Sequence, residues 1–205
     1  MPKFPWPPAP DELQRVRAAY RTLRSDTLVA RIYPRGGRHP TTWRDLRFDG
    51  PLASARFDHH GGGQRRGVIY AARDLVTCAA EAFQGSRLVD RFADDRCFAA
   101  FRLVRSVRLL DLTGDWPTRA GASQAIASGP RPRAQAWARA IYDAYPTVEG
   151  LWYPSSMHGG HPVLMLFERA EDAVPAIPDL DVPLSHPGLL PDLTRAADAL
   201  GYLLR

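Results

Sequence analysis

The sequence predicts a mixed domain of the α/β or α+β kind, and three observations carry that reading. Short apolar, β-branched runs alternate irregularly with stretches of helical period, and long loops separate them. No glycine-rich turn joins a strand to a helix, which argues against a doubly wound nucleotide-binding sheet. The length of 205 residues, with 45% hydrophobic and 24% charged side chains, suits one domain with extensions.

Residues 1–9, inside "MPKFPWPPAP", are proline-rich and read as extended. From Asp11, the stripe of Leu13, Val16, Tyr20 and Leu23 predicts a helix to about Arg24. "TLVARIYP" (27–34), β-branched and closed by Pro34, predicts a strand. The next thirty or so residues are rich in Gly, Pro, Arg and His, and a connection of that length in a compact domain is a candidate for function. "GVIYAA" (67–72) predicts a strand leading into a helix capped by Asp74, whose carboxylate accepts a free backbone N–H. Strands follow at 97–104 and 106–112, then a helix at 131–145 opening at Pro132. "EGLWYP" and "HPVLMLFER" read as strands around the loop "SSMHGG". Beyond Glu171, several prolines precede "LTRAADALGYLL", a docking helix. No internal repeat is present.

Composition narrows the function. Two cysteines, Cys78 and Cys97, do not make a disulfide framework and fit a reducing compartment. Prolines interrupt the start where a signal peptide needs a continuous apolar stretch, and no run approaches the roughly 18 apolar residues of a membrane span. The expectation is a cytoplasmic protein with no membrane partner. The net charge of +5 raises nucleic acid as a partner, yet arginine is spread along the chain and only "RIYPRGGRHPTTWRDLR" and "GQRRG" are locally rich. With no helix-turn-helix, zinc-finger or RNP signature, a nucleic-acid-binding module is disfavoured and stays as an alternative. Arginine aimed at a smaller phosphate compound explains the charge equally well.

Candidate chemistry begins with Glu81. On the helix after Asp74, Leu75, Val76, Cys78, Ala79, Ala82 and Phe83 share one side, and Glu81 falls opposite, near Thr77. That excludes the main core and leaves a solvated face or a cleft. Arg31 interrupts a strand between Val29 and Tyr33, at a sheet edge or pointing into a cleft, where its planar fork would suit phosphate or carboxylate. Tyr70 reads as a core aromatic or a pocket wall, and Ser155 as a turn serine unless something aims it. Metal binding has little support, because glycines and a proline surround His158 and His161 and no helix holds them on one face. No metal is expected, and neither a hydrolase elbow nor a Walker loop is present.

Taken in order, "ARIYP", "SARFDHHGGG", "GVIYAARDLVTCAAEAF", "RLLDLTG" and "GLWYPSSMHGGHPVLMLFERA" resemble the RES domain family, over about residues 27–170. Residues 1–26 and 171–205 fall outside the resemblance as N- and C-terminal extensions. The resemblance implies an α+β fold with a split mixed β-sheet flanked by helices, similar to ADP-ribosyltransferases. It implies NAD as substrate, with Arg31, Glu81 and Ser155 as the family's arginine, glutamate and serine. Tyr70 matches a pocket tyrosine, and Arg56 a second arginine, though Ala55 and Phe57 stand where the family shows glycine and tryptophan. The implied activity is a toxin that cleaves the nicotinamide–ribose bond as glycohydrolase or phosphorylase, with ADP-ribosyl transfer to a protein as the alternative. The implied protein partner is an Xre-like antitoxin. Oligomeric state is left open, a homodimer included.

Overall fold

A computed structural model of the chain describes residues 3–61, 63 and 65–205. Met1 and Pro2 of the proline-rich start, and Gly62 and Gln64 of the basic glycine stretch, lie outside the described residues.

Eight strands form one mixed sheet: β1 (Tyr20–Leu23), β2 (Leu28–Pro34), β3 (Val68–Ala72), β5 (Arg96–Arg102), β6 (Val107–Asp111), β7 (Gly150–Pro154), β8 (Pro162–Phe167) and β9 (Leu180–Pro183). Their spatial order is β1-β6-β7-β8-β3-β2-β5-β9, antiparallel throughout except for the parallel pair β6–β7. A short parallel pair, β4 (Leu88–Val89) with β10 (Leu203–Leu204), lies apart from it. The helices are α1 (Pro10–Leu13), α2 (Leu75–Ala82), α3 (Trp116–Arg119), α4 (Arg131–Ala144) and α5 (Leu190–Leu200). The architecture is therefore the α+β fold expected, a large mixed sheet flanked by helices.

The sheet has a weak line. β2 pairs with β5 along its whole length, from Leu28 opposite Arg102 to Pro34 opposite Arg96, and β3 pairs with β8 from Val68 to Ala72. Between β2 and β3 a single pair remains, Ala30 opposite Ala72. Beyond it, Arg31–Pro34 and Val68–Ala71 part company, and Arg47 takes up the hydrogen bonds of Val68 instead. Strand edges that separate leave backbone groups needing other partners, so such a gap must be lined by loops or ligand.

Helices cover one face of the sheet on both sides of this line. α4 presents Ala134, Trp137, Ala138 and Ile141 to Leu110, Leu151, Val163 and Met165. Fully buried Ile141 contributes roughly 1.5–3 kcal/mol of transfer free energy. On the other side, α2 and α5 pack Cys78, Ala79, Leu193, Ala196 and Ala197 against Ala30, Ala72 and Phe98. The small residues at the junction bring α2 close, near enough for the Cys78 thiol to donate to the Ala30 carbonyl at 3.2 Å. The opposite face is closed by Trp43, Leu46 and the turn at Glu168–Ala173.

The helix expected over 11–24 is not formed. α1 makes one turn, and Tyr20–Leu23 instead adds an edge strand to β6, Tyr20 opposite Leu110. Tertiary partners overrule the stripe: the Tyr145 hydroxyl meets the carbonyls of Leu13 and Val16, each at 2.7 Å, and ends the turn there. The other strands and helices expected up to residue 170 stand within a residue or two, and Asp74 caps α2 through the Thr77 N–H at 2.7 Å. The helix expected over 193–204 instead spans Leu190–Leu200, ended by Gly201 at positive φ, and Leu203–Leu204 pairs as a strand with β4.

The long connection between β2 and β3 is pinned at both ends. Near its end, Glu168 accepts from the Gly67 N–H at 3.0 Å, from His59 Nε2 at 3.3 Å and from the Tyr142 hydroxyl. Burial pushes the Glu168 carboxyl up, but these bonds outweigh it and hold the group down at about 2. Its ionised form is thus favoured in the fold, a contribution present above the ordinary value near 4.5 and lost as pH falls through about 2. Burial also holds His59 below its usual value, so the unfolded chain takes up that proton first and the effect has the same sign. Acid titration of the urea midpoint is expected to show stability beginning to fall as pH drops through the usual histidine value near 6.5 and falling further below about 4.5, with Glu168→Gln flattening the lower limb.

Candidate functional site

A cavity of about 520 Å³ opens at the parted strands, within the range of pockets that take whole small ligands. Ala72, Tyr70, Tyr153 and Val163 floor it, and α2 forms one wall with Cys78, Glu81 and Ala82. The opposite wall comes from the start of α4 and the turn before it, through Arg131 and Ala127. Arg47, Leu52 and Ser54–Arg56 of the long connection form the mouth. Arg31 and Ala71 belong by alternation to the other face, yet they line the same space because it opens through the gap in the sheet.

Glu81 and Ser155 meet. The Ser155 hydroxyl donates to Glu81 Oε1 at 2.6 Å, a short, charge-assisted bond. Ser155 Oγ in turn accepts the backbone N–H groups of Met157 at 3.0 Å and His158 at 2.9 Å, so the hydroxyl's hydrogen-bonding capacity is filled. The turn that aims it closes through Ser155 N–H to His161 O at 2.7 Å, and positive φ at Gly159 and Gly160 lets the chain reverse there. His158 Nδ1 lies 2.9 Å from the Thr77 hydroxyl, which itself donates to Asp74. This explains why the polar side of α2 is covered: Thr77 is fully buried beneath the serine turn, while Glu81 beside it reaches the cavity.

Arg31 is loosely held. Its Nη1 donates to the carbonyls of Trp43 and Asp45 at 3.4 and 3.3 Å, and its buried Nε has no partner among the described residues. Burial lowers its pKa to about 10, so it stays a cation at neutral pH. Arg56 stands across the cavity, its Nη1 donating to the Gly129 carbonyl at 2.6 Å. Burial, and then the charge of Arg131, press its pKa down. The Tyr70 ring lines the floor, but its hydroxyl is engaged, donating to Asp58 at 2.9 Å and accepting from the Phe57 N–H at 3.1 Å. All five residues singled out in the sequence, Arg31, Arg56, Tyr70, Glu81 and Ser155, therefore gather at one cavity; Ser155 reaches it through Glu81.

Several residues of the site escaped the sequence reading. Asp58 is fully buried and accepts from Arg47 at 2.7 and 2.8 Å, from the Leu52 N–H at 2.8 Å and from Tyr70. Gln135 of α4 donates to the carbonyls of Leu52 and Ala55, both at 2.8 Å, so the mouth is tied to the helix as well. Tyr153 lies on the floor, its phenol pushed up by burial and by Glu81, with Phe57 packed edge-on at 4.6 Å. Its position two before Ser155, on a strand, was the one available signal. His158 and His161 stack at 3.8 Å, and no group of three metal-ligating side chains occurs among the described residues. No helix is long and apolar enough to cross a membrane.

Among the described residues, the cavity across the parted strands thus holds one carboxylate, Glu81, and four arginines, Arg31, Arg47, Arg56 and Arg131. The family model for the RES domain matches residues 9–185, and the chain belongs to that family. Among solved structures it is similar to a chain in the crystal structure of the M. tuberculosis MbcT–MbcA toxin–antitoxin complex. The TM-score is 0.57 at 15% identity, covering 91% of this chain and 97% of that one. At that identity the likeness speaks to the fold. No curated protein sequence matches the chain significantly.

Proposed function

We propose that this protein consumes NAD by breaking its nicotinamide–ribose bond, and that it is the toxin of a toxin–antitoxin pair acting in the cytoplasm. Membership of the RES family supports the reading, as does a neighbouring fold from a toxin–antitoxin complex. The observation that carries it is Glu81, fixed by Ser155 at 2.6 Å, in a cavity whose other charged walls are arginines. The catalytic unit spans 27–170, with 1–26 and 171–205 as extensions that complete it by adding the edge strands β1 and β9 and helix α5, and an Xre-like antitoxin would act by covering the mouth.

The chemistry follows from charge. As the bond breaks, nicotinamide leaves with the electron pair and the ribose carbon becomes oxocarbenium-like. A carboxylate already oriented and shielded from bulk water stabilises that positive charge without reorganising. Glu81 takes this role. Ser155, donating to one carboxylate oxygen, keeps the group aimed. Arg31 grips the diphosphate with Arg56 as a second clamp, and the Tyr70 ring flanks the nicotinamide. With water as acceptor the products are nicotinamide, ADP-ribose and a proton; with phosphate, the sugar phosphate replaces ADP-ribose.

Purified protein, freed of any partner, is expected to release nicotinamide from NAD. Labelled NAD reads the acceptor: free ADP-ribose or its phosphate means degradation, label retained on a protein means transfer. Intact NAD, together with tight RNA or DNA binding at physiological salt, would replace this reading with the nucleic-acid one.

A further inference from the structure

The cavity holds one more positive charge than a whole bound NAD, net −1, neutralises. Arg47 is paired with Asp58, but Arg31, Arg56 and Arg131 make no ion pair among the described residues. Glu81 is the one carboxylate among the described lining residues. Three cations facing one anion leave two positive charges. A dinucleotide such as NAD brings two negative phosphates, and its nicotinamide cation takes one charge back.

The surplus has a place. Arg131 Nη2 donates to Gln84 Oε1 at 3.1 Å, Gln84 donates to the Glu81 carbonyl, and Arg56 is held by the Gly129 carbonyl. Each guanidinium is positioned by a neutral acceptor, which fixes it without cancelling its charge. The Arg131 Nε is buried with no partner. Arg131 is also close enough to Arg56 to depress its pKa. Two guanidinium groups lining one cavity, with no carboxylate among the described residues paired to either, repel one another, and an anion bound there removes that cost. Arg31 stands at the Cys78 end of α2, Arg131 at the Gln84 end, with Glu81 between.

We infer that Arg131, with Arg56 shared between the two positions, forms a second phosphate subsite separate from the diphosphate position at Arg31. The phosphate comes from one of two sources, an ester on the dinucleotide itself or free inorganic phosphate. The choice of ligand rests on the NAD reading above; the subsite rests on the shared cavity, the neutral partners of Arg56 and Arg131 and the unpartnered Arg131 Nε, and its test can be run without a dinucleotide.

Titration calorimetry of the full chain with inorganic phosphate is expected to show binding that Arg131→Gln weakens about tenfold or more, the scale of one charge-assisted hydrogen bond. Arg131→Lys should keep most of it, and NAD affinity should change less than about threefold in either variant. The Lys variant and matching unfolding midpoints guard against a folding artefact. If the wild type binds NADP tighter than NAD and Arg131→Gln erases the difference, the ester is the source. If it binds both alike and inorganic phosphate saturably speeds NAD loss, free phosphate is. Phosphate bound through Arg131 by a protein indifferent to NAD would keep the subsite and end the NAD reading. No phosphate binding and no NADP preference, or an Arg131→Gln effect equal on NAD and phosphate, would overturn the subsite.

Discussion

Glu81→Gln is expected to lower nicotinamide release by about a hundred- to a thousandfold, the scale for losing one preorganised electrostatic group at a transition state. The substitution keeps the side chain's length and volume, and the amide oxygen can still accept from Ser155, so the unfolding midpoint should stay close to that of the wild type. What disappears is the negative charge. In the proposed reaction binding is carried by the arginines and the cavity floor, so the loss should fall on kcat with KM little changed, the mark of an interaction made in the transition state. Ser155→Ala should cost less, and its effect should largely vanish in the Glu81→Gln background, since Ser155 acts through Glu81. A folded Glu81→Gln protein with full turnover would remove Glu81 from the chemistry.

Why Glu81 could be placed from sequence, and other residues of the cavity could not, is a matter of range. Helical periodicity is local, so it set Glu81 opposite Ala79 and Phe83, which do lie in the core, whereas Cys78 and Ala82, expected on that same core side, also line the cavity beside Glu81. The same local rule failed at residues 11–24, where the stripe of Leu13, Val16, Tyr20 and Leu23 is split between one helical turn and a strand. There the deciding partners, Tyr145 and β6, lie about ninety or more residues away. The parting of β2 from β3 is equally unreadable in "LVARIYP" or "GVIYAA": each is an ordinary strand, and the gap exists only in how they pair. Alternation placed Arg31 on the side of Val29 and Tyr33, and the gap turns that side into a cavity wall. Asp58 and Arg131 carry no local signal, since their meaning comes from Arg47, Tyr70 and Gln84, distant in the chain or in another element. Ordered family motifs bridged part of that range, which is why Arg56 and Ser155 were found.

Asp58→Ala is expected to be the most damaging single change outside the catalytic pair, destabilising the fold by about 3–5 kcal/mol, the scale for breaking a buried ion pair by removing one partner. The Asp58 carboxylate is fully buried and accepts from Arg47, from the Leu52 N–H and from the Tyr70 hydroxyl. Its removal leaves the Leu52 amide and the Tyr70 phenol without their acceptor in a buried site, and takes the counter-ion from Arg47, which keeps its bond to the Asp49 carbonyl. With a typical urea dependence of about 1–3 kcal/mol per molar, the midpoint should fall by at least about 1 M. Asp58→Asn, which keeps an acceptor and the volume, should fall between the two. Pairing Asp58→Leu with Arg47→Met removes both charges together and should recover much of the loss, because the penalty lies in the orphaned partner more than in the absent attraction. The consequence for the site is direct. Arg56 lies two residues before Asp58 and Tyr70 bonds to it, so a loosened mouth should raise KM for NAD even where the protein remains folded. A wild-type urea midpoint in Asp58→Ala would mean that Gln135 and Glu168 anchor the connection without it, and that the arginines of the mouth are positioned from α4 and β8 alone.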